Sequence, residues 1–142
     1  MEAREYFEQI PGLKKRMNRV KDKIRRLREI STSPGSPSLE QHYNPNSNTA
    51  SPFEKPLMEI DSLEKELSEI KKVYDEISFE AKYILCQLDD EDVRLTLQYK
   101  YLEGMNNTQI ARKLNKSTRS IFRYEVEGLR HIKLPSEYTV LQ

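Results

Sequence analysis

The sequence predicts an all-α protein: N-terminal coiled-coil helices joined by a disordered linker, followed by a compact four-helix helix-turn-helix domain. Three observations carry this expectation. Apolar residues make up 36% of the 142-residue chain and charged residues 33%, a mix that suits long exposed helices better than a large buried core. Two runs space their apolar residues alternately by three and four, as helices that pack lengthwise on a partner do. Between the runs lies a stretch holding Pro34, Pro37, Pro45, Pro52 and Pro56 among many Ser and Asn residues.

The first run is a basic heptad helix expected over residues 1–30. Its stripe is Tyr6, Ile10, Leu13, Met17, Val20, Ile24 and Leu27. Pro11-Gly12 is expected to break it near its start, because proline removes a helical donor and clashes with the preceding turn. Residues 31–56 read as a flexible linker, with too little apolar surface to offset the entropy of ordering. A free chain of that length spans about 30 Å.

An acidic heptad helix is expected over 57–77. Its stripe of Ile60, Leu63, Leu67, Ile70, Tyr74 and Ile77 continues through Ala81, Ile84 and Leu88. Charge helps choose its partner. Residues 12–30 carry nine Lys/Arg and two Asp/Glu, a net +7, whereas 57–77 carry three and seven, a net −4. Two copies of the basic helix repel, and basic against acidic attract, so pairing within one chain is expected, in either direction. Ordinary bundle packing is the competing explanation of the stripes.

Residues 78–134 read as four compact helices, leaving 135–142 as a tail. Ser78 is expected to cap the first, which carries Ala81, Ile84, Leu85 and Leu88. Asp89 or Asp90 caps the second, with Val93, Leu97, Tyr101 and Leu102 on one face and Gly104 as its stop. Asn107 or Thr108 caps a short third helix, Gln109 to Leu114. Asn115-Lys116 makes the turn, and Ser117 caps a final helix from Thr118 to about Lys133. The last two helices must cross closely. Ala111 supplies the small residue, Ile110, Leu114 and Ile121 the wedge, and Asn115 a residue that tolerates a left-handed backbone.

This segment is also basic. Residues 107–133 hold seven Lys/Arg and two Asp/Glu, a net +5, within a chain whose total is only +1. A nucleic acid responds to such a local cluster. The second helix of a helix-turn-helix lies in the major groove with its first residues at the base edges. The expected base-contacting set is therefore Ser117, Thr118, Arg119, Phe122 and Arg123. The two arginines suit bidentate contacts to guanine and Phe122 a thymine methyl, with core packing as the competing role for Phe122. Lys113, Lys116 and Arg130 are better placed for phosphates.

The run from Leu88 to Gly104, with its acidic start and Tyr101-Leu102-Glu103-Gly104 ending, followed by Thr108-Gln109-Ile110-Ala111-Arg112-Lys113-Leu114, resembles region 4 of sigma-70 factors. It departs from that pattern at Asn115, where glycine is usual. The N-terminal half, with the Ser-Pro-Phe-Glu-Lys segment from Ser51 to Lys55, is similar to that of short proteins of Gram-positive bacteriophages and prophages. Those proteins are grouped with late-operon regulators of the ArpU and RinA type. The resemblance implies a transcription regulator of a phage or prophage operon, in the cytoplasm of a bacterial host. It would bind promoter double-stranded DNA and act with host RNA polymerase. A full sigma factor also needs a region rich in aromatic residues to melt DNA, and the N-terminal helix offers only Tyr6 and Phe7.

Other classes have less support. His42 falls in the linker and His131 near the end of a charged helix. Cys86 is the only cysteine and, with no second cysteine or helix N-terminus near to activate it, is expected as a buried small apolar residue. Asp89 to Asp92 suit a helix start without metal-ligand spacing. No enzyme, cofactor or metal is expected, and no stretch approaches the 18 apolar residues of a membrane span. The alternative is a phage DNA-packaging protein of the small-terminase kind, which would assemble into a ring, whereas a regulator is expected as a monomer or homodimer. A protein-only adaptor is a third possibility.

Overall fold

A computed structural model describes residues 2–32 and 54–141, with side chains over 2–30 and 56–141. The described residues are all-α, with no strand. In order, the helices are α1 (Ala3–Thr32), α2 (Glu54–Leu85), α3 (Glu91–Leu97), α4 (Asn107–Leu114) and α5 (Thr118–His131), and a π-helical turn, Gln98–Leu102, follows α3 directly. Most of the expected linker, 31–56, lies outside the described residues. The chain forms two compact units, one of residues 1–15 and 72–142, the other of residues 16–71.

The unit of residues 16–71 pairs parts of α1 and α2. Met17, Val20 and Ile24 are buried from one helix, and Ile60 and Ile70 from the other. All five belong to the heptad stripes. Charges flank the seam: Arg16 lies 3.8 Å from Glu66, and Arg28 is paired with Glu64. The partner's number falls along α2 as it rises along α1, the sense of an antiparallel pair.

The other unit holds the larger core. The start of α1 gives Tyr6, Phe7, Ile10 and Leu13, and the end of α2 gives Ile77, Ala81, Ile84 and Leu85. Val93, Leu97, Tyr101, Ile110 and Ile121 are buried from the later elements. The Phe7 and Tyr101 rings lie 5.6 Å apart.

Three local expectations need correction. Helix α1 runs through Pro11 without a break. One lost hydrogen bond and the ring clash cost about 3 kcal/mol, but burying each large apolar side chain contributes about 1.5–3 kcal/mol, and Tyr6, Phe7, Ile10 and Leu13 surround the proline. Ser78 does not cap a helix. It sits inside α2, where the apolar stripe continues from Ile70 to Ile84, so the acidic helix and the first helix of the expected 78–134 domain are one element. The cap of α4 is Asn106, one residue earlier than expected. Its Oδ1 accepts from the Gln109 N–H at 2.9 Å and Gln109 Oε1 accepts from the Asn106 N–H at 3.0 Å, a reciprocal capping box.

The expected tail is also held. Gln9 Oε1 accepts from the Leu141 N–H at 2.7 Å, and Glu80 accepts from the Thr139 N–H at 3.0 Å. Glu80 also accepts from the Tyr6 hydroxyl at 2.6 Å. Burial, then the hydrogen bond and charge of Glu80, push the Tyr6 phenol well above its usual range.

Candidate nucleic-acid interface

Helices α4 and α5 and the turn between them position the basic face. Asn115 ends α4 in the left-handed region, φ 54° and ψ 44°. The chain then reverses, and Ser117 Oγ accepts from the Ser120 N–H at 3.1 Å to start α5. Ile110, Ala111 and Ile121 close the inner corner, with Leu114, Met105, Tyr99 and Tyr124 packed around them. Ile110, Ala111 and Ile121 face inward there, and the basic residues Arg112, Lys113, Arg119, Arg123 and Arg130 of the two helices face out.

Along α5 the outward face carries Arg119, Phe122, Arg123 and Arg130, spaced by three, one and seven, along one side of a 3.6-residue helix. Phe122 is 60% exposed, so the core-packing role is excluded for it. These four residues and Val126 line an open groove of about 740 Å³. Among the described residues Arg119 and Arg130 make no ion pair, while the Arg123 guanidinium lies 5.6 Å from the Tyr124 ring centroid. Thr118 is exposed at the first helical position. Ser117 is exposed too, but its hydroxyl caps the helix and donates to Ser120 Oγ at 3.0 Å. Its polar atom is thereby engaged.

The three residues expected at phosphates differ. Arg130 is exposed. Lys113 Nζ sits 4.6 Å over the Tyr99 ring, and Lys116 Nζ lies 3.9 Å from Asp92. Both lysines therefore have partners on the π-helical turn or α3, which fix their positions beside the turn.

Sequence reasoning missed what fixes α5 from behind. Glu125 is only 3% exposed. Its carboxylate accepts from Lys100 Nζ at 2.5 Å and from the Tyr101 hydroxyl at 3.0 Å, with the Arg4 guanidinium 4.0 Å away. The π-helical turn makes this possible: its wide loop, closed by the Glu103 N–H to the Gln98 carbonyl at 3.2 Å, turns Lys100 and Tyr101 toward the same carboxylate. Burial, then the Glu125 charge and hydrogen bond, hold the Tyr101 phenol above its usual range. Gly128 is the second missed residue. A Cβ there would lie 2.7 Å from Leu97 Cδ1 and 2.8 Å from Val93 Cγ1, so α5 approaches α3 more closely than any side chain allows. The signal was present. Ile121, Glu125, Gly128 and Ile132 share the inward phase at spacings of four, three and four, so a charge and a glycine in that register mark a buried ion and a close crossing.

Among the described residues no group of His, Cys, Asp and Glu is arranged to hold a metal ion. Among those residues, too, no helix is long and apolar enough to cross a membrane. No family model matches the chain, and neither curated proteins nor solved structures give a match.

Proposed function

We propose that this chain is a DNA-binding transcription regulator that reads double-stranded DNA with α5 and acts with bacterial RNA polymerase on a phage or prophage operon. The observation that carries the reading is the outward face of α5: two arginines without ion pairs among the described residues, a third beside them and an exposed phenylalanine, all at the end of a tight helix-turn-helix. Such a face suits base edges and phosphates together. Arg119 and Arg123 fall within the first two turns of α5, the part that enters a major groove, where an arginine fork meets guanine O6 and N7. Phe122, between them, suits a thymine methyl. Arg130 and the two tethered lysines suit the flanking backbone. Thr118 is exposed at the first position of α5, and Ser117 serves mainly as the cap. The polymerase partnership rests on the likeness to sigma region 4. Size adds a general need for help, from the polymerase or from a second copy, since one such module covers only about 600–1,000 Å² on DNA.

The test is a DNA titration across a salt series, using the promoters of the chain's own genetic element. The logarithm of affinity should fall with the logarithm of salt, by about 0.9 per phosphate contacted. Arg119→Ala and Arg123→Ala should each cost about 1–3 kcal/mol and relax base preference, whereas Arg130→Ala should weaken all sequences alike. Adding polymerase holoenzyme should tighten binding and change transcription. Binding without salt dependence would sink the reading. A ring of eight or more subunits with no transcriptional effect would turn it toward DNA packaging.

A further inference from the structure

The outer side of α2 carries an apolar patch that the fold does not use. Phe79 and Tyr83 are each 78% exposed. They stand one turn apart, so the rings are neighbours on one face, and Cys86, expected to be buried, is exposed and continues that face by three residues. The buried stripe of the same helix, Ile77, Ala81 and Ile84, lies on the opposite side. Single exposed apolar residues are common, but adjacent aromatic rings left in water mark a contact surface.

The charges around the patch select what covers it. Asp75 and Glu76 precede Phe79 by one turn, and Lys82 follows it by one turn; all three are exposed and make no ion pair among the described residues. A second copy of α2, run antiparallel with the two-fold axis beside Phe79, sets Glu76 of each copy opposite Lys82 of the other. The two Phe79 rings meet at the centre, and each Tyr83 lies at the edge near the partner's Asp75. A parallel pairing would instead oppose like charges. A two-fold contact repeats each favourable pair.

We infer that this chain self-associates as an antiparallel two-fold dimer through the Phe79–Tyr83 face of α2. Four aromatic rings supply at most about 600–1,000 Å², below the roughly 1,200 Å² at which stable specific interfaces begin. The dimer is therefore weak and concentration-dependent. On the DNA-binding reading it carries two copies of α5 and favours sites with two inverted halves, but the self-association does not depend on that reading.

Sedimentation of the full chain over a wide concentration range at low salt tests it. The mass should rise from the 16.8 kDa monomer toward twice that value. The Phe79→Ser/Tyr83→Ser double variant should stay monomeric with an unchanged thermal transition, since both side chains are already exposed. Glu76→Lys and Lys82→Glu should each weaken association roughly tenfold, because each charge pair occurs twice and each reversal turns an attraction into a repulsion. Combining the two reversals should restore it. A monomer at every concentration, or a dimer indifferent to the serine variants, overturns the proposal. Failure of the combined reversal to restore association overturns the antiparallel arrangement. Loss of DNA binding with an intact dimer would count against the function proposed above and not against this surface.

Discussion

The most consequential single residue behind the basic face is Glu125. A carboxylate at 3% exposure between Lys100 and Tyr101 is held by its partners, and removing it leaves them unmatched. Glu125→Ala should cost about 3 kcal/mol in urea unfolding, the low end for broken buried pairs, because Lys100 keeps 29% of its side chain in solvent. A loss below about 0.5 kcal/mol would refute the role. Gly128→Ala makes a sharper test, because its sign is informative. Glycine inside a helix is ordinarily worse than alanine by about 1 kcal/mol. Here the added methyl would meet Leu97 and Val93 at 2.7 and 2.8 Å, so the variant should lose about 1–3 kcal/mol. Val93→Ala should relieve part of that loss. Tyr6 and Tyr101 predict an alkaline effect. Both phenols are held above their usual range, by burial first and then by Glu80 or Glu125. The folded chain therefore keeps two protons that the unfolded chain releases near pH 10. Stability should be complete below about pH 10 and decline above it, by about 1.4 kcal/mol per pH unit for each tyrosine. Replacing both by phenylalanine should flatten the decline.

Among the elements, those governed by local chemistry were legible in the sequence. Asp90 caps α3, Asn115 adopts the left-handed turn and Ser117 caps α5, because each requirement lies within a few residues of the one that meets it. Asn115→Ala should accordingly cost about 1–2 kcal/mol, the penalty of a Cβ in that region, and a neutral result would contradict the turn. Elements governed by distant partners were not legible. Pro11 and Ser78 carry strong local signals for a break and a start, yet buried stripes on α1 and α2 override both. The π-helical turn has no periodic signature, and its purpose emerges only where Lys100 and Tyr101 meet Glu125. The exposed phase of Phe122 depends on which face Ile121 buries. For the paired helices, the ion pairs Arg16–Glu66 and Arg28–Glu64 match the opposed charges read from sequence. A peptide of residues 57–77 should bind one of residues 12–30 more tightly than the basic peptide binds itself, and salt should weaken the pair. Preferential self-association of the basic peptide would refute that pairing.

At the scale of the whole molecule, a total charge of +1 conceals the segregation that matters. The acids gather on α2 and at the start of α3, the bases on α1 and around α5. One point of contact between these populations is the Lys116–Asp92 pair at 3.9 Å. On the proposed function, Asp92 stands where a phosphate would stand, so the protein carries its own competitor for its substrate. DNA must displace a tethered carboxylate before it gains Lys116. That tariff is the same for every sequence, whereas a guanine at Arg119 or Arg123 is gained only at the right site. Asp92→Asn should therefore tighten binding to cognate and unrelated DNA by the same factor and leave their ratio unchanged, which a competition titration measures directly; tightening confined to one class of DNA would refute the idea. A weak internal decoy of this kind keeps a regulator moving along the wrong DNA and lets it settle on the right one.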